Sequence, residues 1–499
     1  MNEKKETVFS KIFLDSWRPY LWMIVVGSLI YARAASFGLT YLDDNYAILN
    51  NAHFSQNLSN IFQAFRQNIL LAPNSQEVFY RPMATVMNIL DFQLGGSATF
   101  VFHATNILLH LINSCLLFLL LVKLGYRKSP CFFCSMAFTV HPALTQNIAW
   151  IPGSSDSLLA LFVLPSFIFF LSFLGTKQWR YYFLHMLFFA FSLFTKEIAP
   201  VIIPLALLYI YLIEKENLLS FNARILTAGW LPLLALWFLM RRAASNSFFP
   251  VVSANMIKNI ILNLSAVVIY AGKLLLPFNL SVMAYMRDSS LAYGSLALAL
   301  VAVLLLFSKR KRLNHIIFGS LWFLLFLLPA FVYSDPSGFG DYVYEHRIYL
   351  PAIGLMIVLL ETDLLKDLDM ENIRTFIIGA LILSILTFMT LIHIGDFRDR
   401  ISFYESAVRT APHSPLAHKN LGAMYYLDGS MDKAEFETKK AIAINPSEPL
   451  AHNNLGLVYM NKGMFKRAEY ELLKEISINP NYADVYYNLS LLYAKQKRR

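Results

Sequence analysis

The chain has 499 residues, of which 57% are hydrophobic, and its mean hydropathy is +0.50. A soluble fold usually contains about 45–50% apolar residues, so this composition excludes a soluble globular protein and predicts a polytopic membrane protein. The formal net charge is +10, but lysine and arginine cluster in short connections between apolar stretches. That distribution is typical of membrane orientation and argues against a nucleic-acid partner.

Apolar stretches follow one another through residues 1–395. A bilayer-spanning helix needs roughly 20 residues, and several of the stretches are shorter than that. They lie at residues 20–37, 101–122, 131–149, 158–174, 181–195, 198–213, 225–240, 291–307, 316–332, 349–360 and 376–394. We expect about eleven crossings. Residues 259–277 contain Asn263, Lys273 and Pro277, and we expect this segment to be interfacial or re-entrant.

The basic connections predict the sidedness of the chain. Placing them in the cytoplasm, as the positive-inside rule favours, gives a cytoplasmic N-terminus and a consistent path. The adjacent carboxylates Asp43 and Asp44, which follow the first apolar stretch, then lie outside. Arg241 and Arg242 fall outside against the rule, so either they bind an anionic group there or the path differs. With an odd number of crossings, the C-terminal region also lies outside.

Polar sequence with an internal repeat begins after Asp396. Asn420, Asn454 and Asn488 recur every 34 residues, and this period predicts a tetratricopeptide (TPR) array of paired helices. We therefore divide the chain into a membrane domain, residues 1–395, and a TPR α-solenoid, residues 396–499. Within the solenoid we expect a lone second helix at 402–411, repeats at 415–446 and 449–480, and a partial repeat at 483–499.

The repeated asparagines are expected to form a ladder on the concave face of the array. An asparagine amide both donates to and accepts from a peptide backbone, so Asn420, Asn454 and Asn488 are candidates for binding an acceptor polypeptide. The alternative is that asparagine is merely common at this repeat position. Glu475 and Ser490 depart from the small residues expected at their positions in the repeat.

Ionisable side chains near the outer ends of the apolar stretches are candidate functional residues, because charge at membrane depth is costly. A carboxylate held there can act as a general base toward a hydroxyl, and arginine or lysine can hold a phosphate. This inventory predicts transfer from a lipid phosphate. The alternatives are a solvated loop start for the acidic pair and a snorkelling side chain for Arg33. The candidates are Arg33, Asp43, Asp44, Arg81, His103, His141, Asp156, Lys196, Glu197, Glu345, His346 and Arg347.

Several short motifs together resemble one known family. They are YLDDN at 41–45, YRPM at 80–83, HPALTQNIAWIPGSSD at 141–156, TKE at 195–197 and EHRIYLP at 345–351. In this order, and followed by TPRs, they resemble the transmembrane-and-TPR O-mannosyltransferases and their bacterial relatives, of the GT-C class of polyprenyl-phosphate-dependent glycosyltransferases. The resemblance covers nearly the whole chain. It implies an all-α fold, in which a GT-C-like bundle of transmembrane helices precedes the TPR solenoid.

The resemblance also implies an activity and roles for residues. The activity is inverting transfer of a sugar, a mannose-like hexose, from a polyprenyl-phosphate donor to a protein or glycan hydroxyl. Asp44 or Asp43 would be the catalytic base or a ligand of a divalent metal, Mg²⁺ or Mn²⁺. Arginine suits a phosphate because its planar fork matches the phosphate oxygens. The implied donor-phosphate residues are Arg347, Arg81, Lys196 and Arg33, and the implied pocket residues are His141, Asp156, Glu197, Glu345 and His346.

The His-Pro motif departs from the family pattern. The family usually carries a second histidine and a glutamate where this chain has Leu144 and Gln146, and a basic residue where it has Ser155. These departures argue against a metal site on this segment. They leave open a second reading, a membrane-anchored TPR scaffold or assembly factor with a degenerate transferase domain. A flippase for a lipid-linked sugar lacks the paired internal repeats that many transporters show.

The expected location follows from the topology and the resemblance. The site and the TPRs share the outer side of a membrane, which we expect to be the bacterial cytoplasmic membrane. In a eukaryote the corresponding place would be the lumenal side of the endoplasmic reticulum. The expected partners are a lipid-linked sugar, membrane lipid and an acceptor protein or glycan presented by the TPRs.

Overall fold

The computed structural model describes residues 10–68, 79–244, 254–331, 342–370 and 372–497. The chain divides into two compact units. The first, the membrane unit, comprises Met1–Asn279, Leu291–Tyr333 and Glu345–Arg398. The second, the array unit, comprises Leu280–Ser290, Ser334–Tyr344 and Asp399–Arg499. Two short segments from within the membrane sequence therefore join the array unit, which the repeat pattern alone did not predict.

The described part of the membrane unit is largely helical, as the sequence predicted. Its longer helices are Arg18–Tyr31, Pro82–Gly95, Thr99–Lys123, Lys128–Thr139, Ser154–Thr176, Trp179–Leu193, Ile202–Leu212, Phe221–Ala244, Ala254–Leu262, Ser265–Leu275, Leu291–Phe307, Leu313–Leu327, Pro351–Leu359 and Ile373–His393. Short helical turns connect them, among them Ala32–Ser36, Asn60–Ala64, Ala199–Val201 and Glu345–Ile348.

Five helical stretches in the described residues are long and apolar enough to cross a membrane. They are Thr99–Lys123, Ile151–Thr176, Phe221–Ala244, Leu313–Phe331 and Ile373–Phe397, and three shorter apolar helices are Ala199–Leu212, Ser265–Leu275 and Leu291–Phe307. Along Ile373–Phe397 the side chains of Leu381 and Phe388 are 58% and 65% exposed. Such apolar surface is unfavourable in water, and together with the five apolar stretches it indicates an integral membrane protein. The total of about eleven crossings stays a prediction.

The apolar stretch predicted at residues 131–149 is interrupted. The helix Lys128–Thr139 ends before His141, and three short turns follow, Pro142–Leu144, Gln146–Ala149 and Ile151–Gly153. Pro142 and Pro152 lack the amide hydrogen that a continuous helix would need, and each instead begins a new turn. The prolines therefore place irregular backbone inside the membrane unit, where its polar groups need protein partners.

The segment at residues 259–277 consists of two helices, Ala254–Leu262 and Ser265–Leu275, separated near Asn263. The amide of Asn263 is buried and donates to the carbonyl of Phe331, 3.3 Å away. The side chain of Lys273 is only 2% exposed. This polar face therefore turns toward protein rather than toward a lipid headgroup.

Close backbone contact between two glycines joins two of the helices. A Cβ added to Gly354 would lie 2.4 Å from the carbonyl oxygen of Gly319 and 2.5 Å from the nitrogen of Phe323. The helices Leu313–Leu327 and Pro351–Leu359 thus approach more closely than any side chain at Gly354 would allow. Such small-residue contacts are typical of helix pairs in membranes.

In the described residues 399–497, the array unit has six α-helices, Arg400–Thr410, Pro415–Leu427, Met431–Ile444, Ala451–Asn461, Phe465–Ile478 and Ala483–Lys497. Two histidine–glutamate pairs repeat 34 residues apart, His418 with Glu437 at 2.5 Å and His452 with Glu471 at 2.6 Å. The other ring nitrogen of each histidine lies 3.1 Å from the carbonyl oxygen of Pro412 or Pro446. Successive helix pairs therefore share side-chain geometry, while their assignment to the TPR family stays a prediction.

Glu475 replaces a small residue of the expected repeat and is buried. Its carboxylate accepts from the backbone nitrogen of Leu450 at 2.8 Å and from the amide of Asn479 at 2.6 Å. Leu450 precedes the helix Ala451–Asn461 and has a left-handed φ of 68°. The carboxylate therefore holds a strained helix entry, which gives the departure from the repeat a structural reason.

The His452–Glu471 pair makes the stability of the array depend on pH. Burial acts to lower the pKa of His452, but hydrogen bonding to Glu471 raises it above its ordinary value. The pair's stabilisation is therefore complete below the unfolded pKa near 6.5 and is lost as pH rises through the higher folded value. We expect the protection factors of helix Phe465–Ile478 to fall over that interval, as measured by hydrogen exchange corrected for intrinsic rates. His452→Gln should abolish that pH dependence, and an unchanged profile would contradict the assignment.

Candidate active site

The acidic pair lies in a tight loop, residues 40–45, in which Asp44 is buried. Its Oδ2 accepts from the nitrogen of Thr40 at 2.6 Å and from the Thr40 hydroxyl at 2.9 Å. Its Oδ1 accepts from the nitrogens of Tyr41 at 2.8 Å and Asn45 at 2.9 Å. Burial raises the pKa of Asp44 to about 6, against the opposing effect of these hydrogen bonds. The carboxylate of Asp44 thus holds the acidic loop together.

Asp43 has different surroundings although it is the next residue. It is exposed, and its φ of 69° is left-handed, as is the φ of 62° at Tyr41. Asparagine and aspartate tolerate this conformation better than most residues, because their short polar side chains can bond locally. The two backbone reversals turn Asp44 inward and leave Asp43 accessible to a substrate. The sequence could not separate these roles.

The His-Pro segment, residues 141–156, packs behind the acidic loop. Trp150 donates its indole hydrogen to the carbonyl of Leu42, 3.0 Å away, and its ring lies 5.3 Å from that of His346. The amide of Asn106, on helix Thr99–Lys123, donates to the carbonyl of Trp150 at 3.2 Å. One tryptophan therefore connects the acidic loop to the EHR motif.

Gly153 allows the His-Pro segment to fold back on itself. A Cβ at this position would lie 2.4 Å from the carbonyl oxygen of Gln146 and 3.0 Å from Cα of Asn147. His141 is buried, its Nε2 lies 2.9 Å from the carbonyl of Leu274, and its Nδ1 accepts from the nitrogen of Ala143. Both ring nitrogens of His141 are therefore used in holding backbone.

Two ion pairs join the YRP, TKE and His-Pro motifs. Arg81 forms a fork with Glu197, with nitrogen–oxygen distances of 3.0 to 3.2 Å. Lys196 lies 2.7 Å from Oδ1 of Asp156. All four side chains are largely buried. Three motifs separated in sequence thus meet as a compact charged cluster.

Burial and neighbouring charges shift the pKa values of Glu197 and Lys196 in opposite directions. Burial would raise the pKa of Glu197, but the positive charge of Arg81 and its hydrogen bonds hold the pKa below its ordinary value. Burial lowers the pKa of Lys196, and the neighbouring Asp156 opposes that change. The cluster therefore keeps the Glu197 carboxylate ionised while it lies out of bulk water.

The EHR motif forms a four-residue turn, Glu345–Ile348, which we call the site turn. The nitrogen of His346 donates to Oε1 of Gln146 at 2.9 Å, and the amide of Asn147 donates to the His346 carbonyl at 3.0 Å. Gln146 stands where the family usually has glutamate, and its carbonyl oxygen accepts a bond that a carboxylate would also accept. The departure therefore preserves one structural contact of this position.

Three positive groups of the site act electrostatically on His346. Burial lowers the pKa of His346 well below its ordinary value, and the charges of Lys196, Arg347 and Arg81 lower it further. The guanidinium of Arg347 donates to the hydroxyl of Tyr270, and Arg347 itself is half-buried. A neutral imidazole that experiences the charge of three cations is suited to a site for an anionic ligand.

Glu345 is fully buried and pairs with other groups. Its Oε1 lies 2.7 Å from Nζ of Lys273, and its Oε2 lies 3.2 Å from Nε2 of His393. Nδ1 of His393 lies 2.9 Å from Asp396. Sequence reasoning missed Lys273, Tyr270 and His393. A lysine in an otherwise apolar helix was the available signal, because such a charge needs a partner.

The structure brings together most of the predicted site residues but not all. Arg33 is exposed in the turn Ala32–Ser36, and none of the contacts above involves it. The asparagines at 420, 454 and 488 belong to the array unit. Within the described ranges, no three histidine, cysteine, aspartate or glutamate side chains come together to hold a metal ion. A divalent metal at Asp43 and Asp44 therefore stays a prediction.

The division of roles in the acidic loop predicts unequal effects of two similar changes. In the wild type both carboxylate oxygens of Asp44 accept from donors. In Asp44→Asn an NH₂ group replaces one of these oxygens and cannot accept, so the unpaired donor should cost about 1–3 kcal/mol of stability. Asp43→Asn keeps a residue suited to left-handed backbone and should cost less than about 0.5 kcal/mol. Thermal unfolding in nanodiscs, followed by tryptophan fluorescence, compares the two. Equal midpoints would contradict the assigned roles.

Known proteins resemble this chain, one of them along most of its length. It is 24% identical over 447 residues to protein O-mannosyl-transferase F38B6.6 of Caenorhabditis elegans, a match that covers 85% of this chain and 62% of the relative. Human protein O-mannosyl-transferase TMTC4 is 30% identical over 182 residues, covering 33% of this chain and 25% of the relative. Human protein O-mannosyl-transferase TMTC1 is 29% identical over 144 residues, covering 28% of this chain and 16% of the relative.

The chain spans less than two thirds of the length of these relatives. No family model matches it. The motif-based resemblance is nevertheless confirmed, since each of these relatives is named a protein O-mannosyl-transferase. The chain is therefore an all-α integral membrane protein similar to the TMTC-type protein O-mannosyl-transferases.

Proposed function

We propose that this chain is a membrane glycosyltransferase that transfers a hexose, most simply mannose, to a hydroxyl of a protein. One observation carries the proposal. Side chains from YRP, His-Pro, TKE and EHR motifs converge on one charged cluster, which Trp150 connects to the acidic loop. The similarity to proteins named O-mannosyl-transferases supports the same reaction class.

We assign the donor to the polyprenyl-phosphate sugars. Arg347 is half-buried and so accessible to a ligand, and its guanidinium can pair with two phosphate oxygens. Arg81 and Lys196 are each held by a carboxylate partner, so they supply directed donors beside Arg347 rather than mobile charges. Phosphate that leaves a sugar gains negative charge, which these groups would stabilise in the transition state.

In the reaction that we propose, the exposed carboxylate of Asp43 removes the proton from the acceptor hydroxyl. The hydroxyl oxygen forms a bond to C1 of the sugar as the bond from C1 to the phosphate oxygen breaks. The electron pair of that bond leaves with polyprenyl phosphate, which Arg347 binds, and the proton remains on Asp43. Attack opposite the leaving group inverts the configuration at C1. Asp44 keeps the loop in place for this step.

We propose that the array unit binds the acceptor polypeptide through its asparagines, each of which is half-buried. The amide of Asn488 donates to Oδ1 of Asn453 at 2.9 Å, and the amide of Asn453 donates to Asn454 at 3.4 Å. These bonds orient the ladder while leaving part of each amide for a peptide backbone. The site and the array would face the outside of a bacterial cytoplasmic membrane, or the lumen of the endoplasmic reticulum.

Replacing the proposed base should separate chemistry from folding. Asp43→Asn is expected to lower kcat about 10²- to 10⁴-fold, the usual contribution of a general base, with little change in thermal stability. The measurement is transfer of radiolabelled mannose from polyprenyl-phosphate mannose to a serine-rich peptide. The matched control is Asp367→Asn, a half-exposed acid paired with Arg310 elsewhere. Full activity in the double variant Asp43→Asn/Asp44→Asn would refute the proposed reaction.

Replacing an asparagine of the ladder should weaken binding of the acceptor peptide and leave binding of the lipid donor unchanged. Asn454→Ala is expected to raise KM for the peptide several-fold and to leave KM for the lipid donor unchanged. Initial rates with each substrate varied in turn provide the measurement. Lys440→Ala, an exposed change on helix Met431–Ile444, is the control. Equal effects on both KM values would argue against peptide binding by the ladder.

A further inference from the structure

Two deeply buried charges in the described part of the membrane unit are not used by the proposed reaction. The side chains of Lys273 and Glu345 are 2% and 0% exposed and lie 2.7 Å apart. Lys273 also donates to the carbonyl of Asn279 at 2.5 Å. His393 completes the group, between Glu345 and Asp396. We call these four side chains, Lys273, Glu345, His393 and Asp396, the anchor.

Stability alone is a weak reason for such an arrangement. Removing two charges from water costs about as much free energy as their attraction returns, and well-packed apolar side chains often stabilise a protein equally well. What a buried pair adds is a definite geometry. This anchor joins three separate pieces of chain, the helices Ser265–Leu275 and Ile373–His393 and the site turn.

The site turn needs such support because it has only four residues. Its first residue, Glu345, belongs to the anchor, and its third, Arg347, is the accessible phosphate ligand of the proposed reaction. Tyr270 lies one helical turn before Lys273 and accepts a hydrogen bond from Arg347. The same helix therefore holds the turn at both ends, by Lys273 at Glu345 and by Tyr270 at Arg347.

The opposite side of the turn is held through backbone. Gln146 and Asn147 bond the nitrogen and the carbonyl of His346 at 2.9 and 3.0 Å. These two hydrogen bonds fix the position of the His346 backbone but allow the backbone dihedral angles of the adjacent residues to change. The anchor at Glu345 removes that freedom, because it fixes the residue immediately before His346.

We propose that Lys273 and His393 are positioning residues, which hold Glu345 so that Arg347 presents its guanidinium to the phosphate of the lipid donor. This inference rests on the proposed function for the identity of the ligand. Neither residue touches the substrate. Loss of either should loosen the site turn and weaken phosphate binding, without changing the affinity for the peptide acceptor.

The experiment uses the full chain in nanodiscs and two measurements, hydrogen exchange of residues 345–350 and binding of undecaprenyl phosphate. Lys273→Met is expected to speed exchange in this segment at least about tenfold and to weaken binding about tenfold. Lys273→Arg should restore both. The double variant Lys273→Met/Glu345→Met leaves no lone buried charge, so it should recover thermal stability while exchange stays fast and binding stays weak.

A second buried pair provides the matched control. Glu361 is 0% exposed and lies 2.8 Å from Lys366. Lys366→Met should lower thermal stability and leave phosphate binding unchanged. Wild-type exchange and affinity in Lys273→Met, or an equal loss of binding in Lys366→Met, would overturn the inference. If the unaltered chain binds no undecaprenyl phosphate, the proposed donor fails, while the exchange measurement still decides whether the anchor holds the turn.

Discussion

The free-energy cost of placing charge in apolar surroundings governs the membrane unit. Arg81 is held by Glu197, Lys196 by Asp156, and Lys273 by Glu345, and every one of these pairs joins parts of the chain that are distant in sequence. A charge that must find a partner fixes the relative position of the segments that carry it. The motifs meet because their charged side chains have few other low-energy arrangements in an apolar unit.

The irregular backbone has a related cause. Pro142 interrupts the apolar stretch 131–149 and Pro152 lies in a short turn after it. Buried side chains bond backbone carbonyls of this irregular segment, Asn106 that of Trp150 and Asn147 that of Gly153. The result is a non-helical segment against which the acidic loop and the site turn pack through Trp150. Within this frame Asp44 holds its own loop and Asp43 stays accessible, while Glu345 points into protein and Arg347 stays near the surface. In each pair one residue is buried and the other lies nearer the surface.

Much of the fold and of the candidate site could be predicted from the sequence. The features that were missed depend on local backbone conformation or on distant contacts. Ionisable residues such as Asp156 and Lys196 stand out in apolar stretches, so their membership of one site was predictable. The different burial of Asp43 and Asp44 could not be predicted, because left-handed backbone at Tyr41 and Asp43 decides which side chain is buried. Lys273 was assigned to an interfacial or re-entrant segment because, with Asn263 and Pro277, it interrupts an apolar stretch. Its partner Glu345 lies 72 positions away, so the sequence did not reveal the pair. The length of the 131–149 stretch concealed its break, although Pro142 marked the position at which a helix cannot continue.

The central claim is that the converged motifs form one site for transfer from a lipid-phosphate sugar to a protein hydroxyl. The most direct test is to incubate the purified chain in nanodiscs with polyprenyl-phosphate mannose of known anomeric configuration and a serine-rich peptide, and to determine the linkage on the peptide by NMR. The account predicts mannosyl peptide with the configuration at C1 inverted relative to the donor, and release of one polyprenyl phosphate for each sugar transferred. Transfer with retained configuration, or lipid cleavage without any sugar on the peptide, would contradict it.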